Sequence, residues 1–270
     1  MASPGEPSLD FTVTNIEFIV HRPPNPSWKI EGLANHTSYI MALSTDGEAD
    51  YSFNGSMYHV NKGDILFFPK GMEHTAYSHT ANPWSYFSTA FDTCFLDPES
   101  IEAFNSLPNI FTTTLLSEYE SLFGSLHRAW SGKKAGYLIK CRSLLLDILY
   151  LYLREALTAN RDIPHMSVME KIINFMLDNP ARSFSIEELA VMAGMSSSHF
   201  RLIFKKVTGL SAIQYQNRIK INRARDLLLS GACNVSEAAV SVGYADIYYF
   251  SRLFKKVTGV APSSCVRRQL

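Results

Sequence analysis

In 270 residues this chain has no Cys-x-x-Cys, no His-x-His, no Gly-x-Ser-x-Gly and no phosphate-binding Gly-x-x-x-x-Gly-Lys. These absences remove paired-thiol zinc sites, paired-histidine metal sites, the serine nucleophile elbow and the nucleotide loop. The four cysteines, Cys94, Cys141, Cys233 and Cys265, lie far apart and read as buried free thiols in a reducing compartment. No basic stretch followed by an apolar core opens the chain, so no signal peptide is expected. The longest apolar run, Leu144 to Leu153, is too short to span a bilayer and contains Asp147. A cytoplasmic protein with no membrane partner is the expectation.

Net charge is also lacking, but the zero hides an asymmetry: Ile163 to Leu270 holds 14 Lys and Arg against 7 Asp and Glu, and the rest carries the compensating acid excess. A basic segment attached to an acidic body suggests one domain that meets a polyanion and one that does not. The length suits two domains, expected at 1–160 and 161–270, with polar Thr158 to His165 as the linker.

The basic part contains one passage written twice. Phe200-Arg-Leu-Ile-Phe-Lys-Lys-Val-Thr-Gly-Leu210 returns as Phe250-Ser-Arg-Leu-Phe-Lys-Lys-Val-Thr-Gly-Val260. Phe200, Ile203, Phe204 and Val207, like Phe250, Leu253, Phe254 and Val257, follow the i, i+3, i+4, i+7 spacing of an amphipathic helix. Gly209 and Gly259 then stop each helix. A preceding helix repeats as well, Ile186 to Met195 against Val235 to Tyr244, with one residue more before the second phenylalanine.

Two helix-turn-helix units follow, at about 185–207 and 235–257. With the stripes buried, Ser197, Ser198, Arg201, Lys205 and Lys206 point outward from the first unit's second helix. Ile247, Tyr248, Ser251, Arg252, Lys255 and Lys256 point outward from the other. Arginine can read a guanine edge, and serine and lysine hold phosphates, so double-stranded DNA is the expected partner. Ser185 with Glu188 forms an expected capping box. Ser211 to Leu229 is read as the rigid helix that sets the spacing of the two units, for successive major grooves about 34 Å apart.

From Phe11 to Asp92 the period is two. Short strands are expected at Thr12 to Val20, Tyr39 to Ser44, Tyr51 to Phe53, Met57 to Val60, Asp64 to Phe68, His74 to Tyr77 and Trp84 to Phe91. Asn54-Gly55 marks a hairpin. Such strands close into a barrel or sandwich able to hold a small molecule. Leu115 to Trp130 and Tyr137 to Leu157 return to helical spacing. The second presents Leu144, Leu145, Ile148, Leu151 and Tyr152, a face that could cover the barrel's open edge.

Arg218-Ile-Lys-Ile-Asn-Arg-Ala-Arg-Asp-Leu-Leu-Leu229, with Gly243-Tyr-Ala-Asp-Ile-Tyr-Tyr-Phe through Pro262, resembles the AraC/XylS family of bacterial transcription regulators. That family usually has Arg where Leu202 stands, Pro at Ala212, and an aromatic then Arg at Cys265 and Val266. Gly63-Asp-Ile-Leu-Phe-Phe-Pro69-Lys-Gly71-Met-Glu-His74 is similar to the second motif of the cupin barrel. The resemblance implies an α+β chain: an N-terminal cupin-like β-barrel with linking helices, then an all-α domain of two helix-turn-helix motifs.

The resemblance also implies an effector site at Arg22, His74, Trp84, Tyr86 and Ser88, a sugar or related metabolite as effector, a homodimer, and RNA polymerase as partner. Ser88 stands where the arabinose-responsive member has a stacking tryptophan, and Ala76 where it has a tyrosine, so a different ligand is implied. Arg22 also reads as an exposed turn residue, and His74 as a hydrogen-bonded barrel residue. A metal at His74, helped by His59 or His79, lacks the three convergent ligands such sites use; no metal and no cofactor are expected. The function expected is a sequence-specific, effector-controlled regulator, an activator, and not an enzyme. The alternatives are a cupin-type enzyme with a helical interaction module, or a DNA-binding regulator whose barrel only dimerises.

Overall fold

The computed structural model describes residues 9–159 and 165–266. The chain divides into two compact units, residues 7–162 and 163–270, and the expected linker lies largely outside the described residues.

The first unit contains strands β1 (Phe11–Arg22), β2 (Lys29–Ala34), β3 (Tyr39–Asp46), β4 (Ala49–Phe53), β5 (Ser56–Val60), β6 (Asp64–Phe68), β7 (Glu73–Ser78), β8 (Ser85–Phe95) and β9 (Ile110–Thr112). They form two sheets, β1-β8-β3-β6-β9 and β2-β7-β4-β5. Alternation along β3 and β6 separates two cores: Tyr39, Met41, Leu43, Ile65 and Phe67 face the helices, while Ile40, Ala42, Leu66 and Phe68 face the opposite sheet. Burial on both faces explains why β6 reads as five consecutive apolar or shielded positions. Gly63 and Gly71 take φ of +91° and +78°, the left-handed turns that start β6 and pass the chain over to β7 in the four-stranded sheet.

Helices α1 (Pro98–Asn105), α2 (Leu116–Gly132) and α3 (Tyr137–Ala159) complete the unit. Leu144, Leu145, Ile148, Leu151 and Tyr152 are buried as expected. They join Val13, Ile16 and Ile19 of β1 and the outward side of β3, so the helices cover the face of the five-stranded sheet rather than an open edge. The pleat dictates this: β1 and β3 present alternate apolar residues on that face, which need a partner. Cys94 is exposed, contrary to the expectation of buried thiols, and Cys141 and Cys265 are buried. Among the described residues no helix is long and apolar enough to cross a membrane.

The second unit is helical: α4 (Met166–Asp178), α5 (Ile186–Met192), α6 (Ser197–Thr208), α7 (Ala212–Leu229), α8 (Val235–Ser241) and α9 (Ile247–Thr258), then a short 3-10 turn, Pro262–Cys265. The start of α7 packs into the core of α4, α5 and α6 through Ala212, Tyr215 and Ile219. Its end packs into that of α8 and α9 through Ile221, Ala224 and Leu228. One helix therefore belongs to both cores, as the spacing argument requires.

Candidate DNA-reading helices and effector pocket

α6 and α9 are built alike. Ser196 accepts from the His199 amide and Asp246 from those of Tyr248 and Tyr249, so each second helix starts at a side-chain cap. Gly209 and Gly259 end them at φ of +70° and +82°. Phe200, Ile203 and Phe204 are buried in one, Phe250 and Phe254 in the other, with Val207, Leu253 and Val257 half-buried. The extra residue of the second copy lies in the turn before the cap, so α6 and α9 are both 12 residues long and correspond at an offset of fifty.

That correspondence decides the exposed faces. Ser198, Arg201, Lys205 and Lys206 are exposed and Ser197 half-buried; Tyr248, Arg252, Lys255 and Lys256 are exposed, with Ile247 and Ser251 half-buried. Arg252 corresponds to Leu202, which is 67% exposed. Arg201 lies instead a hundred degrees around the helix, its guanidinium 3.9 Å from Glu187 on α5. The lysine pairs occupy the last turn of each helix, where the helix C-terminus also favours cations. His199 and Tyr249, exposed beside the caps, are not among the outward positions read from the sequence.

Within the helical unit, the two helix-turn-helix motifs are riveted through α7. Gln216 exchanges two hydrogen bonds with the Phe184 backbone, at 2.8 and 2.9 Å. Lys220, buried, donates to Ser183 Oγ at 2.8 Å and to the Ala181 carbonyl at 3.3 Å, with its ammonium 5.3 Å from the Tyr244 ring. Burial pulls its pKa below the ordinary lysine value. Tyr244 donates to Asn217 Oδ1 at 2.9 Å. Gly243, at φ +81°, lies so close to Ala181 that an added Cβ would sit 2.2 Å from its carbonyl oxygen. Ser185 caps α5 as expected, but Glu188 pairs with Arg182 instead of closing the box. Complete capping boxes occur at Ser211 with Gln214 and at Asn234 with Glu237.

In the first unit a cavity of about 190 Å³ lies between the sheets. Phe18, Val20 and Arg22 of β1, Ile40 and Ala42 of β3, and Tyr86 and Ser88 of β8 line one side; Trp28, Ile30, Leu33, Tyr51 and His74 line the other, with Phe68 beneath. Arg22, exposed at the end of β1, sits opposite Tyr86 in register. His74 stacks on Phe68 at 4.5 Å, and the Met72 carbonyl accepts from its Nδ1 at 3.3 Å. Nδ1 therefore carries the proton of the neutral ring, leaving Nε2 as an acceptor. Burial lowers the His74 pKa below 6.5, with the Met72 bond opposing, so the neutral form dominates near neutral pH.

Trp84 is not among the lining residues. It is 1% exposed, stacks on Tyr86 at 3.9 Å and donates from Nε1 to Ser44 Oγ at 2.8 Å, so it stands behind the Tyr86 ring. The sequence reading missed Trp28, Ile30 and Leu33, because β2 is mostly exposed, interrupted by Gly32 at φ +57°, and gives no alternating signal. The cavity lining contains no carboxylate and no second histidine. His59 and His79 are on the outer face of the same four-stranded sheet and do not accompany His74 in the cavity.

A sandwich enclosing a small polar-and-aromatic cavity, in one chain with two capped helix-turn-helix units, combines a domain of a ligand-binding class with one of a DNA-binding class. The family of the AraC-like ligand binding domain matches residues 15–149, and that of the helix-turn-helix domain matches residues 189–268. The chain is 29% identical over 221 residues to the MmsAB operon regulatory protein of Pseudomonas aeruginosa, covering 78% of this chain and 68% of that one. It is 27% identical over 238 residues to the arabinose operon regulatory protein of Salmonella typhimurium, covering 83% and 82%. To the lactose operon transcription activator of Staphylococcus xylosus it is 24% identical over 229 residues, covering 80% and 79%. The chain belongs to the AraC family of transcription regulators, with a ligand-binding domain and a helix-turn-helix domain.

Proposed function

We propose that the chain is an effector-controlled activator of transcription, sensing a small molecule with residues 1–160 and reading double-stranded DNA with residues 161–270. One observation carries the reading: α6 and α9, separately capped and held by a shared helix, each leave cationic side chains in solvent. In this reading Arg252 takes a base edge and Leu202 an apolar base contact, while Ser197, Ser198 and the four lysines hold phosphates. Arg201, steered by Glu187, assists at the backbone.

The effector is polyhydroxylated and of monosaccharide size. The cavity falls below the roughly 300–1,000 Å³ of drug-sized ligand sites. Arg22, His74 Nε2, Tyr86 and Ser88 offer hydrogen-bonding groups against aromatic walls, and the names of the arabinose and lactose relatives point the same way. The S. xylosus relative's name supports activation, which requires contact with RNA polymerase. The exposed stripe Ile139, Leu146 and Tyr150 on α3 supports a two-fold interface, suited to a regulator of repeated half-sites.

A thermal-shift screen of the intact protein against monosaccharides, their phosphates and small polyols tests the effector half. A ligand at about 100 times its Kd adds about 2.7 kcal/mol of stability to the state it binds. The expected result is a hit abolished by Arg22→Ala and by Tyr86→Ala. No hit, with sequence-specific DNA binding intact, would leave a DNA-binding regulator whose barrel only dimerises.

A further inference from the structure

The outer face of the four-stranded sheet gathers side chains that the regulatory reading does not use. Glu48 and Asp50 are two residues apart, so both point away from the cavity. β4 pairs with β5 so that Asp50 stands opposite His59, and the chain leaving β7 lays His79 beside Glu48, its amide bonded to the Glu48 carbonyl at 3.0 Å.

The four groups close a ring. Asp50 Oδ1 meets His59 Nδ1 at 2.8 Å and Asp50 Oδ2 meets His79 Nε2 at 2.9 Å. Glu48 Oε2 is 3.1 Å from His79 Nδ1 and 3.6 Å from His59 Nε2. We propose that Asp50, His59 and His79 form a binding site for a divalent transition-metal ion of the zinc class, with Glu48 as the fourth group.

Three features support the assignment. One ligand atom from each of Asp50, His59 and His79 lies within 4.8 Å of the others. Tetrahedral donors about 2.0–2.2 Å from zinc stand roughly 3.3–3.6 Å apart, close to the separations found here. The two carboxylates supply negative charge that a divalent cation balances, and imidazole donors select zinc, nickel, cobalt or copper over magnesium or calcium.

The backbone beneath is also fixed. Gly47, at φ +68°, is pressed so closely on Pro83 that a Cβ would meet its carbonyl oxygen at 2.1 Å, and Asn82 donates to Glu48 Oε1 at 3.0 Å. Pinned partners of this kind hold metal ligands in place. An ion here would tie the β4–β5 hairpin to the turn leading into Trp84 and Tyr86. The barrel's cavity, on the other face of the sheet, is a separate site.

The test is calorimetric titration of the intact, tag-free, chelator-treated protein with Zn²⁺, with Co²⁺ as a spectroscopic probe. The expected result is one equivalent bound per chain, visible Co²⁺ bands of low-symmetry N/O coordination, and no response to Mg²⁺. Glu48→Gln should weaken binding about 10–100-fold, and His59→Gln or His79→Gln should weaken it further. Melting curves without metal establish that these variants fold. Absence of saturable binding overturns the proposal. So does binding that survives the His59→Gln, His79→Gln double variant, or binding that disappears in Cys94→Ser, which would place the ion on the exposed thiol.

Discussion

The two helix-turn-helix units share what makes a helix and differ in what a helix can read. Both second helices start at a side-chain cap, bury phenylalanines four residues apart, and end at a left-handed glycine followed by a repeated framework. Between those fixed points the exposed positions diverge: Ser197, Ser198, Arg201 and Leu202 in α6 stand where Ile247, Tyr248, Ser251 and Arg252 stand in α9. Packing constrains the stripe and leaves the outer face free, so the two helices are equivalent as structures and different as readers. Under the proposed function, such a pair of helices joined by α7 would meet two dissimilar stretches of DNA sequence.

The units also differ in how tightly their turns are held, and this gives the largest expected effect. Gly194 and Gly243 occupy the same place, both at positive φ, yet a Cβ on Gly194 meets nothing within 4 Å and one on Gly243 overlaps the Ala181 carbonyl. Gly194→Ala should cost the left-handed strain alone, about 1–2 kcal/mol. Gly243→Ala adds an overlap that backbone movement must relieve, for about 2–4 kcal/mol in total. Trp28, Trp84 and Trp130 all lie in the first unit. Urea unfolding followed by far-ultraviolet circular dichroism should therefore show the loss while tryptophan fluorescence does not. Equal costs for the two glycines would mean that the Ala181 contact does not position the second unit.

A smaller effect distinguishes the reading faces. Arg252→Ala should cost about 1–3 kcal/mol on specific DNA and relax the preference at one base position, with little change on random DNA. At the corresponding site Leu202→Ala should cost less, since a side chain making one apolar base contact forms no bidentate pair. Arg201→Ala should act uniformly on specific and random DNA, because Arg201 stands at the position of Ser251, a hundred degrees around the helix from the position Arg252 occupies. Selection of binding sites from a randomised pool by each variant measures all three. A base preference lost with Arg201 rather than Arg252 would reverse the assignment of the two arginines.

The parts of this molecule legible in the sequence are those whose signal is local. α4 runs from Met166 to Asp178 and β6 from Asp64 to Phe68, as their patterns require, because each carries its own periodicity and its own stop. Asp97-Pro98 is a cap followed by a first-turn proline and marks α1 by the same rules, though the apolar pattern there is too short to draw attention. What could not be read depends on strand register or on contact between distant segments. Asp50, His59 and His79 converge only once β4, β5 and β7 are aligned. The Gln216, Lys220 and Gly243 contacts link α7 and the second turn to residues 181–184. Tyr86 and Trp84, two residues apart, were read as equivalent pocket residues; the β8 start gives one ring to the cavity and places the other behind it.

The smallest expected effect separates the caps. Ser196 offers a hydroxyl that cannot ionise, accepting one amide at 3.3 Å, while Asp246 offers a carboxylate accepting two, at 2.8 and 3.0 Å. The Tyr249 and Tyr248 amides, in that order, hold the Asp246 pKa below its ordinary 3.8, and Arg252 adds to the shift. As acid is added, the unfolded chain takes up its proton at the ordinary value while the folded chain resists to a lower pH. The stability this cap contributes is therefore complete above 3.8 and is lost as the pH falls through the lowered folded value. Hydrogen exchange, corrected for its intrinsic pH dependence, should show the first turn of α9 losing protection over that range while the first turn of α6 does not. Asp246→Asn keeps a good cap without the titrating group, so it should remove the difference between the helices. Parallel loss in α6 and α9 would instead assign the acid response to the shared core.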